Sequence, residues 1–185
     1  LGKFEGIYSG KTSMKAKSCF ENWDQFYMNM VYLVSLKSKD PETKQGAVII
    51  SPHNRVVSIG YNGFPRGSND DAPERYERPE KYLWFEHAER NAIYNAERPL
   101  IGCTLYTCGL SCVPCARGVV QVGITEVVFD IEWYEKDMLY AKERGTWESE
   151  LDRTIEMYTE AGIIHRSVKI KEFLKPERHR RGEIF

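Results

Sequence analysis

The chain has 185 residues, 26 basic and 27 acidic side chains, and a formal net charge of −1. That length suits one domain with a real core and leaves little room for a second. Interspersed, nearly balanced charge argues against a polyanion-binding face for nucleic acid, and no apolar run reaches membrane-spanning length.

In chain order, residues 1–21 read as a polar arm, 22–168 as the folded domain and 169–185 as a basic, solvated tail. Asn22 followed by Gln25 resembles an N-cap box. Trp23, Phe26, Tyr27, Met30, Leu33 and Val34 then recur at helical spacing, which predicts a helix to about Lys37. Two apolar runs, Gly46–Ser51 and Val56–Tyr61, flank Pro52-His53-Asn54-Arg55 and predict a β-hairpin. Residues 63–82 hold Gly, Pro, Asn and many charges without periodicity, so a long loop is expected, and loops of that length are usually functional. Beyond it the spacing predicts a helix over about 86–97, a strand over 104–108 and a helix opening near Cys112. A strand over 126–130, a helix over about 148–161 ending at Gly162, and a strand over 163–168 complete the pattern. Strands alternating with helices imply an α/β layer fold with a parallel portion.

Five cysteines, at 19, 103, 108, 112 and 115, fit reduced thiols and metal ligation better than a disulfide framework, and a reducing cytoplasm is the expected compartment. His87-Ala88-Glu89 upstream of Cys112-Val113-Pro114-Cys115 is the most informative pattern. One imidazole and two thiolates suit Zn²⁺, and three protein ligands leave the fourth tetrahedral position for water. Glu89, two residues past His87, can reach that water without ligating the metal and can carry its proton to a ring nitrogen. H-x-E followed by P-C-x-x-C is the signature of zinc nucleobase deaminases; here Ser111 stands in the place of the proline, and a proline occurs at 114. Cys108, Cys112 and Cys115 form an alternative, structural zinc spacing. Otherwise Cys19, Cys103 and Cys108 read as buried, His53 as a turn residue, His165 as packed and His179 as part of the tail. Both metal-binding segments fall near helix N-termini, where the dipole and unpaired N–H groups lower thiolate pKa values.

Together these residues resemble the deoxycytidylate (dCMP) deaminases of the zinc-dependent cytidine deaminase superfamily. The resemblance rests on Ser38-Lys39-Asp40-Pro41 leading into Gly46-Ala47-Val48, on Gly60-Tyr61-Asn62-Gly63-Phe64-Pro65-Arg66-Gly67, and on His87-Ala88-Glu89-Arg90-Asn91-Ala92-Ile93, with Leu105-Tyr106 and Val122-Gly123-Ile124 about the cysteine pair. It implies a three-layer cytidine-deaminase-like fold, a mixed five-stranded sheet flanked by helices. The implied reaction is hydrolysis of dCMP to dUMP and ammonia through a zinc-activated water, supplying dUMP for thymidylate synthesis. His87, Cys112 and Cys115 are the implied ligands and Glu89 the proton carrier. The resemblance further places Asn62 beside the sugar hydroxyl, Ser35, Lys37 and Ser38 near the phosphate, and Tyr134 near the nucleotide. It puts the loop with Gly63, Asp70 and Asp71 in the region of dCTP and dTTP effectors bound with Mg²⁺, on a homohexamer in the cytoplasm of a cell or of a virus-infected host. No nucleic acid or membrane partner is implied. The rival readings are a deaminase of dCTP or another cytosine nucleotide or nucleoside, and a catalytically silent zinc module that senses nucleotides.

Overall fold

A computed structural model describes residues 18, 20–144, 148–171, 179–180 and 183–184. The expected arm lies almost wholly outside these residues, as does Cys19. In the tail, His179–Arg180 (β6) and Glu183–Ile184 (β7) pair as two short antiparallel strands.

A helix, α1 (Trp23–Ser35), opens the fold, with Asn22 Oδ1 accepting from Gln25 N–H at 2.9 Å. The expected reciprocal half of the cap does not form. Instead Gln25 Nε2 donates to Lys169 O at 2.8 Å and its Oε1 accepts from Lys171 N–H at 3.0 Å, tying α1 to the segment after the last sheet strand. β1 (Gly46–Ile50) and β2 (Val56–Tyr61) form the expected antiparallel hairpin, and β3 (Thr104–Thr107), β4 (Glu126–Asp130) and β5 (Ile164–Val168) complete one sheet in the order β2-β1-β3-β4-β5. β1 pairs antiparallel with β3, whereas β3–β4 and β4–β5 are parallel. The mixed five-stranded sheet and its helical layers follow the expectation.

Alternation along the strands divides the core into two. Val48, Ile50, Tyr106 and Val128 face α1, meeting Tyr27, Met28, Val31 and Tyr32. Ala47, Ile49, Leu105, Val127 and Phe129 face the opposite layer, formed by α3 (Ala88–Tyr94), α4 (Val113–Gln121) and α6 (Glu148–Glu160). Period-two side-chain placement on strands covered on both faces produces this split.

Two departures from the sequence reading shape the site. Residues 63–82 are not featureless: they contain a 3₁₀ turn (Pro73–Tyr76) and enter α2 (Lys81–Trp84), with Phe64, Tyr76 and Phe85 packed together at ring-centroid distances of 4.7–5.6 Å. A further helix, α5 (Ile131–Arg144), follows β4 directly and was not expected, because its many charges obscure an apolar stripe. Asp130 caps it, accepting from Glu132 N–H at 3.0 Å.

Gly60 sets how closely α3 approaches the sheet. A Cβ there would lie 2.3 Å from both Ala88 O and Ala92 N, far inside contact distance. Gly60→Ala should therefore lower stability by about 3 kcal/mol, the upper end of the range for overpacking against unyielding backbone. Urea denaturation with an unchanged midpoint would remove this account of Gly60.

Candidate active site

β2 and β3 run in the same direction, each being antiparallel to β1, so their carboxyl ends share one end of the sheet. α3 and α4 begin at that end. His87 is the N-cap residue of α3 and Cys112 that of α4, both extended and neither using its side chain to cap the helix. Pro114 lies in the first turn of α4, where its missing N–H costs nothing, and Cys115 follows it. His87 Nδ1 is 3.3 Å from Cys112 Sγ and 3.5 Å from Cys115 Sγ, and the three donor atoms lie within 4.8 Å of one another. A tetrahedral zinc with ordinary bond lengths separates its nitrogen and sulfur ligands by about 3.6 Å, so the three donors fit the ion.

Protonation in this cluster is interdependent. Hydrogen bonding from Cys115, and then from His87, pulls the Cys112 thiol down to about 4 against the opposing effect of burial. Cys115 is pushed up, since it donates to Cys112 and is itself buried. One proton is thus shared between two sulfurs, and a divalent cation replacing it leaves both as thiolates. His87 is raised by its hydrogen bond to Cys112. Glu89, in the first turn of α3, is buried, and desolvation followed by the Cys112 charge holds its carboxyl above the usual carboxylate range. Ser111 Oγ, wholly buried, stands beside Glu89 and the Tyr158 hydroxyl without a well-aligned hydrogen bond to either.

His87, Glu89 and Cys112 form one wall of a cleft of about 140 Å³ that opens to solvent. Glu89, His87 and Cys112 face Asn62, Asp40, Phe85, Arg78 and Lys81 across it. Asn62 is nearly saturated: its Nδ2 donates to Asp40 Oδ2 at 3.0 Å and Thr43 O at 2.8 Å, and its Oδ1 accepts from Gln45 N–H at 2.7 Å. Both amide protons are spent, so toward a ligand Asn62 can only accept, through the second lone pair of Oδ1.

The residues expected around the phosphate are not at the cleft. Ser35 Oγ is buried and donates to Tyr32 O; Ser38 Oγ donates to Asn62 O and accepts from Asp40 N–H; Lys37 is exposed just past α1. None of the three lines the cleft, because α1 packs on the other face of the sheet. Tyr134 is also displaced, its ring 5.5 Å from that of Phe129 in the core. Within α5 the helical repeat turns Trp133 and Asp137 toward Gly109 instead, and Asp137 reaches the cleft. Gly63, Asp70 and Asp71 lie elsewhere: Gly63 bridges to the backbone of Glu86, Asp70 pairs with Lys39 at 2.7 Å, and Asp71 is exposed. Cys108 is not with the other sulfurs, its Sγ instead accepting from Gly46 N–H at 3.4 Å, so the alternative zinc spacing does not assemble.

Arg78, Lys81 and Asp40 were not identified from the sequence as site residues. Lys81 Nζ lies 2.8 Å from Asp40 Oδ1, with the two side chains 8% and 2% exposed. The available signal was Asp40 within Ser38-Lys39-Asp40-Pro41, a charge followed by proline in a motif leading into an apolar strand.

The profile of the cytidine and deoxycytidylate deaminase zinc-binding region matches residues 21–131. The chain belongs to this family. It is 38% identical over 141 residues to an uncharacterized deaminase in the luxG 3′ region of Aliivibrio fischeri, covering 76% of this chain and 90% of that protein. Deoxycytidylate deaminase of Homo sapiens is 35% identical over 130 residues, with 67% and 73% covered. Among solved structures, the dCMP deaminase of cyanophage S-TIM5 in complex with dCMP and dUMP superposes with a TM-score of 0.57 at 19% identity, over 77% of this chain and 94% of that one, a likeness of fold.

The donor geometry predicts one zinc per chain held by His87, Cys112 and Cys115. Cys112→Ser and Cys115→Ser should each lose the metal on gel filtration. Elemental analysis finding full zinc in both variants would overturn the ligand set.

Proposed function

We propose that the chain hydrolyses dCMP to dUMP and ammonia, with zinc held by His87, Cys112 and Cys115 and with Glu89 as the proton carrier. The observation carrying this reading is the placement of Glu89: a buried carboxylate beside the three-donor cluster, facing the cleft and absent from the ligand set. A sensor needs the metal and the cleft but gives no role to such a carboxylate. Bound at the cluster, zinc supplies a Lewis acid that makes water nucleophilic near neutral pH.

The chain's own residues supply the rest. Glu89 takes the proton of the attacking water and delivers it to N3 of cytosine as the C4–O bond forms. It then takes the remaining proton from the new C4 hydroxyl and passes it to the 4-amino group, which leaves as ammonia while the C4 carbonyl of dUMP forms. The raised Glu89 pKa suits a group that must both accept and return a proton near neutrality. Phe85 offers an apolar wall for the base, and Asn62 Oδ1 accepts from the sugar hydroxyl. Among the described residues no helix is long and apolar enough to cross a membrane. The same reading extends to a cytoplasmic homohexamer regulated by dCTP and dTTP with Mg²⁺ near Gly63, Asp70 and Asp71, which rests on the family resemblance of that loop.

Glu89→Gln keeps shape and most hydrogen bonding but cannot shuttle a proton. Zinc content and dUMP affinity should be retained while dCMP turnover falls about 10²–10⁴-fold. Near-native turnover in this variant would remove the mechanism, and an inactive wild type across dCMP, dCTP, cytidine and deoxycytidine would favour the sensor.

A further inference from the structure

The cleft carries two permanent cations, Arg78 and Lys81, and they are held differently. Lys81 is buried against Asp40 at 2.8 Å and also reaches Glu42 Oε2 at 3.4 Å. Arg78 sits further out: its side chain and that of Glu42 are 23% and 24% exposed, and Nη1 pairs with Glu42 Oε2 at 2.5 Å. Arg78 Nε donates to the Tyr82 hydroxyl at 2.8 Å. Among the described residues, Nη2 has no partner.

We propose that the Arg78–Glu42 pair is exchangeable, a nucleotide 5′-phosphate taking the place of the Glu42 carboxylate on the Arg78 guanidinium. The inference rests on the reading of this cleft as a nucleotide site and assigns the residues that distinguish nucleotide from nucleoside. A carboxylate and a phosphate present the same pair of oxygens to the planar guanidinium fork, so one stands in for the other. About a quarter of each side chain is open at the mouth of the cleft, so an entering anion can reach the guanidinium, and the exchange trades one desolvated anionic partner for another. Glu42 is not stranded by the exchange. Lys81 still faces its carboxylate, and its backbone N–H remains bonded to Asp40 Oδ1 at 2.9 Å. Tyr82 continues to steer the guanidinium from its other edge. Lys81 stays in place because removing it would leave Asp40 buried and unpaired.

Two substitutions should act in opposite directions. Arg78→Ala should raise KM for dCMP about ten- to hundred-fold, the loss of one charge-assisted contact, and the loss on dCMP should exceed that on deoxycytidine at least tenfold. Glu42→Gln removes the competing carboxylate, so dCMP and inorganic phosphate should both bind several-fold tighter, by calorimetry as well as by competition. Arg78→Lys should recover part of the affinity as a point charge, and zinc content and thermal melting of each variant report folding. Equal losses on dCMP and deoxycytidine in Arg78→Ala would overturn the exchange. So would weaker phosphate and dCMP binding in Glu42→Gln, or a larger dCMP-selective loss in Lys37→Ala than in Arg78→Ala. Calorimetry with dUMP and phosphate tests the exchange even if the wild type proves inactive, which would instead count against the deaminase reading.

Discussion

The seating of α3 on β2 is the contact on which the rest of the site depends. At Gly60 the helix backbone rests directly on the strand, and Ser58 Oγ donates to Ala92 O at 2.7 Å while Asn91 Nδ2 donates to Tyr61 O at 2.8 Å. A helix held by its own backbone cannot rotate or slide without breaking these bonds. Because His87 caps its start and Glu89 lies in its first turn, that register decides that the imidazole meets the two sulfurs and the carboxylate faces the cleft. α4 is placed by parallel pairing of β3 with β4 and burial of Ala116 and Val119, and it packs beside α3, with Gly118 against Ile93 and Arg90. The cluster is therefore a meeting of two helix starts, each fixed by a different part of the sheet.

The opposite wall has another physical basis. Its floor is the buried Lys81–Asp40 pair, which through Asp40 holds Asn62 and through Lys81 draws in Glu42 and the end of the long loop. Burying such a pair is not in itself a large source of stability, but losing one partner is costly because the other stays charged in a dry place. The arrangement thus locks Ser38-Lys39-Asp40-Pro41, Gly60-Tyr61-Asn62 and α2 to one another. Aromatic packing of Phe64, Tyr76 and Phe85 gives the intervening loop a small core of its own.

One wall is consequently reactive and dry, and the other is polar and cross-linked. On the first, burial raises Glu89 above the usual carboxylate range, which suits a group that accepts and returns a proton, while the hydrogen bond from Cys115 lowers Cys112 and favours its thiolate. On the second, opposite charges are matched around a single amide whose donors are all spent.

The sequence by itself determined the elements with strong local signals: the capped start of α1, the hairpin, the alternating strands and the grouping of one imidazole and two thiols beside a carboxylate. Period-two and helical patterns, and a short fixed spacing of donors, need no distant partner to be recognised. It was silent on α5, whose charged surface hides its packed face, and it could not place the cations of the cleft. Lys37 and Lys81 are alike as residues in a charged stretch. Only the packing of α1 on one face of the sheet and the folding of the 63–82 loop over the other decide that Lys81, with Arg78, reaches the cleft. The same holds for Tyr134 and Asp137: three residues apart on one helix, they are sorted between core and cleft by how α5 rolls against β4, a contact between segments distant from the motifs. Chemistry carried by adjacent residues was legible, and chemistry assembled by layer packing was decided by the tertiary structure.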